Sequence, residues 1–290
     1  MIVGLSAPSI ATAIHDAAAR LAATSTDDAR LEAAVLLAHV LGVGRAHLLA
    51  RLDDALDPDA STRFAALVER RLAREPLAYI VGRREFYGVD IRCEPAALIP
   101  RPETEMLVDL ALDEIRRRGD ALRVVDVGAG SGAIAIAIAA NAANVRVTAI
   151  DASPSALVLA RHNAGRVDVA DRVAIREGDL LDQADAFDVI VANLPYVSEA
   201  EWADLPPEIR DHEPRQALVG GKAGTETVER LLRSAPPHLA AGGILAVEIG
   251  ATQGAALREV ARACFPDAEP CVKKDLAGLD RVLLIRRTGG

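Results

Sequence analysis

The chain has 290 residues, with 33 Lys and Arg against 42 Asp and Glu, for a formal net charge of −9. Hydrophobic residues make up 51% and charged residues 26%, a balance that excludes a disordered chain and fits one large domain or two smaller ones. The acidic surplus counts against a protein that grips long nucleic acid through its phosphates, although it leaves room for a local basic patch.

The first ten residues, MIVGLSAPSI, lack a charged start followed by an apolar run, so no signal peptide is expected. The most apolar stretch, residues 133–143, is too short for a membrane span and contains Asn141. Ile10, Ile14, Ala17 and Leu21 recur at helical spacing over residues 9–23. A second helix is predicted from about Asp27, carrying Leu31, Val35, Leu36, Leu37 and Val40, with Gly42 as its stop. A short helix follows around residues 45–52. A longer one begins at Pro58, with Phe64, Leu67, Val68 and Leu72 on one face, and ends before Pro76. Four helices without strands predict a small bundle.

REFYGVDIRCEP then has short alternating apolar runs around Gly88, the pattern of a β-hairpin. In the next segment, Ile99-Pro100-Arg101-Pro102-Glu103-Thr104-Glu105, two prolines block helix through Arg101. Pro102 suits the first turn of a helix reaching Arg118. From residue 122 strands and helices alternate. LRVVDV, VRVTAI, RVAIRE, FDVIVAN, GGILAVEI and RVLLIR read as strands. Residues 133–142, 154–166, 225–240 and 251–264 read as helices. Such alternation predicts a mostly parallel sheet with helices on both faces and ligands at the carboxyl ends of its strands. Cys93, Cys264 and Cys271 are scattered, odd in number and without zinc spacing, which suits free thiols in a reducing cytoplasm.

After the first strand of this region comes Asp126-Val127-Gly128-Ala129-Gly130-Ser131-Gly132-Ala133. Glycines allow unusual dihedrals and close ligand approach, and the following helix offers free N–H groups. Asp151 closes the second strand, nineteen residues after Gly132, where its carboxylate can accept ribose hydroxyls. Gly128, Gly130 and Ala133 also satisfy the dinucleotide pattern G-x-G-x-x-A, and a tight turn with no ligand is a further reading. Two details favour S-adenosylmethionine. The third glycine comes early, and Asp126 stands two residues before the first, where it would attract a cationic ligand end.

The fourth strand runs into Asn193-Leu194-Pro195-Tyr196. The Asn193 side chain and the Leu194 carbonyl are two acceptors for the hydrogens of one planar –NH₂ group, with Pro195 holding Leu194 extended and Tyr196 able to pack on the plane. An amide nitrogen is a poor nucleophile because its lone pair is delocalised. Accepting both hydrogens raises its electron density, so transfer gains from positioning and electrostatics without a strong base. A proline-ended strand whose Asn caps a turn is the structural alternative.

Residues 193–196 resemble the N-P-P-Y motif of methyltransferases acting on the amino groups of glutamine, adenine or cytosine. Together with the segment from Ile99 to Glu105, the DVGAGSG loop and the N-terminal helices, they make the chain similar to the peptide-chain release factor N5-glutamine methyltransferases (the PrmC/HemK family) over nearly its whole length. The resemblance implies an α/β, doubly wound, mostly parallel seven-stranded class I methyltransferase sheet with a small N-terminal helical bundle. Residues 1–80 would form the bundle and help recognise the release factor, 81–102 a hairpin linker, and 103–290 the methyltransferase domain. It implies S-adenosylmethionine as cofactor, S-adenosylhomocysteine as product, and no metal. The implied partner is the GGQ loop of class I release factors in the cytoplasm, with no membrane and no stable nucleic-acid binding.

By that resemblance Gly128, Ala129, Gly130, Ser131, Gly132, Asp151, Asp179, Leu180 and Asn193 would bind the cofactor. Asn193, Leu194, Pro195 and Tyr196 would be catalytic and hold the glutamine, with Phe86 and Arg101 as further substrate contacts. Leu194 stands where the family usually has proline, which adds an N–H and predicts a looser backbone. Leu180 offers only an apolar face where the family often has an aromatic.

Other residues carry weaker expectations. Tyr87 is placed with Phe86 at the substrate entrance or on the interface between domains. Arg101 and Glu103 are expected to bridge domains or order a lid. Trp202 and Glu199 belong to a loop beside the site, and Val219, Gly220, Gly221 and Gly224 to a flexible turn. Phe86, Tyr87, Tyr196 and Trp202, half of the eight aromatics, are expected to gather at one substrate mouth. The arginines at 70–74, 83–84 and 116–118 read as solvated helix faces, with faces for ribosome-associated or acidic partners as the alternative, and His162 and His212 as surface or capping residues. Competing readings are an adenine-N6 methyltransferase on DNA or RNA, a non-catalytic module that holds a translation factor, and, more distantly, an NAD-dependent dehydrogenase.

Overall fold

The computed structural model describes residues 8–23, 28–119, 122–182 and 185–289. The start of the chain read for a leader, and Asp27, lie outside the described residues. The chain divides into two compact units, Met1–Gly82 with Pro207–His212, and Arg83–Pro206 with Glu213–Gly290. The hairpin expected as a linker therefore belongs to the second unit.

The first unit is helical. In α1 (Ile10–Ala22) the Ser9 hydroxyl accepts the Thr12 N–H at 3.1 Å, and in α2 (Ala29–Leu41) the Asp28 carboxylate accepts the Leu31 N–H at 2.9 Å. These side chains satisfy backbone donors that a helix start leaves free. Gly42 ends α2 in the left-handed region at φ +64°. After α3 (Arg45–Leu49), α4 (Pro58–Leu72) begins with proline in its first turn behind the Asp57 cap. A further short helix, α5 (Leu77–Val81), lies where the sequence pattern gave no helix. Leu21, Leu36, Leu37, Leu48 and Phe64 fill the core.

One arginine of the 70–74 cluster departs from the solvated reading. Arg71 is 5% exposed, and its guanidinium pairs with Glu32 at 2.8 Å and Glu208 at 3.1 Å, while Arg74 also reaches Glu208 at 2.7 Å. A buried cation persists only when carboxylates accompany it. These pairs attach the helical turn Pro207–Arg210 to this unit.

The second unit opens with the hairpin of β1 (Arg83–Phe86) and β2 (Val89–Arg92). Tyr87 and Gly88, at φ +50° and +77°, make the turn, which needs positive φ at both positions. The strain at Tyr87 is held by α6 (Glu105–Arg118). The Tyr87 N–H donates to Glu105 at 2.9 Å and its hydroxyl to Asp109 at 2.6 Å. The aromatic expected at a substrate mouth is thus pinned to a helix. A 3-10 turn, Pro102–Thr104, leads into α6.

Next come β3 (Arg123–Val127), α7 (Ala133–Asn141), β4 (Arg146–Asp151), α8 (Pro154–Arg166), β5 (Val173–Glu177) and β6 (Phe187–Ala192). They are followed by β7 (Val197–Ser198), β8 (Val219–Gly221), β9 (Leu239–Glu248), β10 (Cys271–Lys274) and β11 (Asp280–Arg286). Seven strands form one sheet in the order β10-β11-β9-β6-β3-β4-β5, with β11 antiparallel to both neighbours and the other pairings parallel. Strand residues alternate between two cores. Val124, Val189, Ile244 and Val282 face one, with Ile136 and Ile138 of α7. Val125, Ile190, Leu245 and Leu283 face the other, with Val228 and Leu257. Both faces are covered, as a parallel sheet requires.

Two helix boundaries and one strand are among the differences from the sequence reading. The helix predicted over 225–240 stops at Ser234, because Pro236 and Pro237 cannot supply helical N–H donors, and β9 already starts at Leu239. The helix predicted from 251 begins at Gly254. The seventh strand, β10, is short and mostly exposed, so it carries no run of apolar residues. Among the described residues, no helix is long and apolar enough to cross a membrane.

Candidate active site

From β3 the chain moves outward through β4 and β5, then returns to β6 on the other flank of β3. Here the chain switches direction across the sheet, and the crevice at the carboxyl ends of such neighbouring strands is where ligands bind. Val127 and Ala192 are register partners across β3 and β6, so Gly128 and Asn193 leave the sheet side by side. The two motifs singled out in the sequence meet at this point.

A cavity of about 320 Å³ opens there. Its lining includes Gly128, Ala129, Gly130, Ser131, Asp151, Asp179, Leu180, Asn193, Leu194, Pro195 and Phe86. Gly132, Tyr196 and Arg101, also expected at the site, are not on the lining. Gly132 caps α7 at φ +80°, and a Cβ there would lie 3.1 Å from both Ala160 and Ile136. Its role is close packing of helix on helix. Arg101 instead pairs with Glu213, whose carboxylate, 1% exposed, also accepts the Ile99 N–H at 3.0 Å. Both residues belong to the second unit, so Arg101 does not bridge the two units through this pair.

The loop after β3 is held open by backbone bonds. Gly128 and Ala129 donate to the Ile150 carbonyl at 2.8 and 2.9 Å, and Gly130 donates to the Asp151 carboxylate at 2.8 Å. The other Asp151 oxygen accepts the Ser153 N–H at 2.8 Å. Each carboxylate oxygen keeps a lone pair for a hydroxyl in the cavity. Asn163, fully buried on α8, accepts the Arg92 N–H at 2.9 Å and donates to the Arg92 and Ser131 carbonyls at 3.2 and 3.0 Å. It ties the hairpin to the glycine loop, a role its position on a predicted helix did not announce.

Asp126 is not on the cavity lining. It is fully buried beneath the loop, where Oδ2 accepts the Ala135 N–H at 3.1 Å and Oδ1 has no partner among the described residues. Burial first, and the nearby Asp151 charge, push its pKa from 3.8 up to about 7. It fastens the start of α7. At the far side Asp179 pairs with Arg230 at 2.6 Å, and Leu180 lines the cavity at φ +57°. A left-handed leucine is strained, and that strain sits on the wall where an apolar face was expected.

Around Asn193 lies a buried polar chain. Its Nδ2 donates to the Thr104 hydroxyl at 3.0 Å, and that hydroxyl donates to Glu248 Oε2 at 2.6 Å. The Tyr196 hydroxyl donates to Glu248 Oε1 at 3.2 Å, and Gln253 donates to the Tyr196 carbonyl at 2.8 Å. Thr104 is 3% and Glu248 1% exposed. Burial raises the Glu248 pKa from its ordinary value, against the Thr104 and Tyr196 hydrogen bonds and the Arg281 charge, which favour the carboxylate. Sequence reasoning passed over Thr104, Glu213, Glu248 and Asn163. A lone acid ending the apolar strand GGILAVEI was the signal for Glu248.

The glycines expected to form a flexible turn instead support this motif. β7 and β8 pair in parallel, and a Cβ on Gly220 would collide with the Pro195 carbonyl. A Cβ on Gly224 would collide with the Tyr196 carbonyl. Trp202 lies outside the lining, under the Arg215 guanidinium at 5.7 Å, in a helical turn capped by Ser198 and Glu201. Of the four aromatics expected at one mouth, only Phe86 lines the cavity. Cys93 is buried, with its pKa pushed up to about 12 by burial, while Cys264 is half-buried and Cys271 exposed. His162 stands 3.4 Å from Arg92. Among the described residues, no group of acidic, histidine or cysteine side chains is arranged to hold a metal ion.

The lining can be tested against S-adenosylmethionine. A carboxylate with free lone pairs suits a ribose diol, positive-φ glycines suit close backbone approach, and Leu180 with Ala97 and Phe86 offers apolar wall for a base. The residues present fit that cofactor. The sheet order, the glycine loop and Asn193 at the switch point together define an S-adenosylmethionine-dependent methyltransferase.

Residues 12–82 match the family model described as PrmC N-terminal domain, and residues 104–205 match the Methyltransferase small domain. The release factor glutamine methyltransferase of Nitratidesulfovibrio vulgaris is 41% identical over 278 residues, covering 94% of each chain. That of Moorella thermoacetica is 40% identical over 277 residues, covering 95% of this chain and 97% of the relative. The chain belongs to the release factor glutamine methyltransferase family. Its fold is shared with the hMettl16 catalytic domain, solved in complex with MAT2A 3'UTR hairpin 6, at TM-score 0.55 and 16% identity over 80% of this chain and 82% of that one. A methyltransferase from Pyrococcus furiosus aligns at TM-score 0.50 and 19% identity over 79% of this chain and 99% of that one.

Proposed function

We propose that this protein moves the methyl group of S-adenosylmethionine onto the side-chain amide nitrogen, N5, of the glutamine in the Gly-Gly-Gln motif of class I peptide-chain release factors. The observation that carries the reading is the junction of the glycine loop with Asn193 and Leu194 at the switch point of the sheet. The family's name supplies the substrate class.

Gly128, Ala129, Gly130 and Ser131 would hold the amino-acid end and sugar of the cofactor, Asp151 its ribose hydroxyls, and Leu180 its adenine, with Asp179 at the edge. When bound, the cofactor supplies a methyl group on a sulfonium, an electrophile that needs no further activation. The chain does the rest. Asn193 Oδ1 and the Leu194 carbonyl accept the two N–H hydrogens of the glutamine amide. That contact would orient the nitrogen towards the methyl group and raise its electron density. The proton would then pass to solvent water, because the methylated amide nitrogen is strongly acidic until it is lost. Pro195 keeps Leu194 extended, and Tyr196 is held by Glu248 and Gln253.

Residues 1–80 are read as the part that helps recognise the release factor, with the cytoplasm as the site of action. Adenine-N6 methylation uses the same two acceptors, but the net charge of −9 does not suit long nucleic acid, and the relatives carry a protein substrate in their name. The test uses purified enzyme, a Gly-Gly-Gln release factor and methyl-labelled S-adenosylmethionine. Label appears on the release factor, and Asn193→Ala slows it about a hundredfold. No label from the wild type, or equal rates from both proteins, sinks the reading.

A further inference from the structure

We infer that Thr104 and Glu248 are positioning residues that fix which end of the Asn193 amide faces the substrate. A side-chain amide has a donor end and an acceptor end of nearly equal size, and only the acceptor end can hold an N–H hydrogen of the target nitrogen. Something must therefore prevent the amide from turning over.

The buried chain does this by counting hydrogens. Thr104 has one hydroxyl hydrogen, and it is given to Glu248 at 2.6 Å. Towards Asn193 the hydroxyl then has only lone pairs. The atom of Asn193 that lies 3.0 Å away must be the donor, Nδ2, which leaves Oδ1 for the cavity. The reversed amide would set Oδ1 against the lone pairs of Thr104 in a buried place, and present –NH₂ to the –NH₂ of the substrate. Glu248 is an acceptor from Thr104 on one oxygen and from Tyr196 on the other, so it orders both halves of the motif. Hydrogen bonds that run in one direction also polarise each other, and this chain pushes electron density towards Oδ1.

The residues concerned lie far apart in sequence. Thr104 belongs to the segment from Ile99 to Glu105, which precedes the sheet, and Glu248 ends β9. The chain gives that segment a function beyond joining two parts of the protein. It brings the hydroxyl that reads the orientation of Asn193.

The inference rests on the release-factor reading, and its test is chosen to separate the two. Single-turnover methylation of a Gly-Gly-Gln release factor is measured for wild type, Thr104→Val, Thr104→Ser and Glu248→Gln, each also in an Asn193→Ala background. Cofactor affinity and melting temperature are measured for the same proteins. Thr104→Val keeps the shape and removes the hydroxyl. Its rate falls at least about tenfold, the loss of one well-placed hydrogen bond, while the KM for release factor stays within about twofold. Thr104→Ser restores the rate to within about threefold, since it keeps the single hydroxyl hydrogen. Glu248→Gln can still accept from Thr104 through its oxygen, so its loss is smaller than that of Thr104→Val. In the Asn193→Ala background neither substitution lowers the rate further, because the amide they orient is gone.

Equal activity of Thr104→Val and wild type overturns the inference. So does an undiminished effect in the Asn193→Ala background, which would mark a general structural role. If Thr104→Val does not fold, the Glu248→Gln pair of backgrounds decides the matter by the same criterion. A wild type that puts no methyl on the release factor instead removes the release-factor reading on which the inference stands.

Discussion

The side chain of Leu194 fills the space that any side chain at position 128 would need: its Cδ2 atom lies 2.7 Å from where a Cβ on Gly128 would stand. The first glycine of the loop after β3 and the second residue of the Asn193–Tyr196 motif are thus fitted to one another. Leu194 is 4% exposed, so it is anchored by packing against the loop.

Gly128→Ala tests that fit. The residue has φ +74°, so alanine costs about 1 kcal/mol in backbone strain, and its Cβ displaces Leu194. Turnover and cofactor affinity both fall. Adding Leu194→Ala removes the collision but not the strain, so it recovers part of the loss. Additive losses in steady-state and calorimetric measurements would show that the two sites are independent.

Gly220→Ala is more damaging. Its Cβ would meet the Pro195 and Gly224 carbonyl oxygens, which are backbone and cannot rotate away. The Pro195 carbonyl must shift, and an error of about 1 Å near reacting groups slows chemistry about a hundredfold. Kinetics show a fall in kcat larger than any change in cofactor affinity. A variant with normal kcat would contradict the close packing of β8 on the motif.

Asp126 makes a prediction about pH. Its pKa is raised from 3.8 to about 7, chiefly by burial. A carboxyl raised in the fold stabilises the protein below the unfolded pKa, and that stability is lost as pH rises through the folded value. Wild-type stability therefore declines over the window from 3.8 to about 7 through this group and is level above it. Asp126→Asn does not titrate there. Its stability relative to wild type, from denaturant unfolding, rises across that window and then stays constant. A difference independent of pH would contradict the buried, poorly solvated carboxyl.

Asn163→Ala leaves the Arg92 N–H and two carbonyls without their partner. Unsatisfied buried groups cost about 1–3 kcal/mol each, so the melting temperature falls clearly. Because one of those carbonyls is on Ser131, cofactor affinity falls as well. Thermal unfolding with and without S-adenosylmethionine separates the two effects, since the ligand's own stabilisation depends on its affinity. Loss of stability with an unchanged ligand-induced shift would show that Asn163 does not support the loop.

The parts of the site that could be read in the sequence are those written in neighbouring residues. Gly128, Gly130 and Asp151 follow a strand, a turn and a strand at short separations, and the residues from Asn193 to Tyr196 are contiguous. Their partners come from elsewhere. Thr104 meets Glu248 across 144 positions and Ile99 meets Glu213 across 114, and no local pattern carries such pairings. The same limit applies to Arg101, whose partner Glu213 lies 112 positions away. It also explains Asp126, whose place before the glycines is clear but whose orientation is set by α7. The sheet was legible from alternating apolar runs. β10 was not, because a short, exposed strand with two lysines lacks one.

The most direct test of the account is mass spectrometry of a Gly-Gly-Gln release factor after incubation with enzyme and S-adenosylmethionine. The account predicts one added methyl group, on the side-chain nitrogen of that glutamine. An unmodified release factor, with methyl groups found instead on adenine of added nucleic acid, would contradict it.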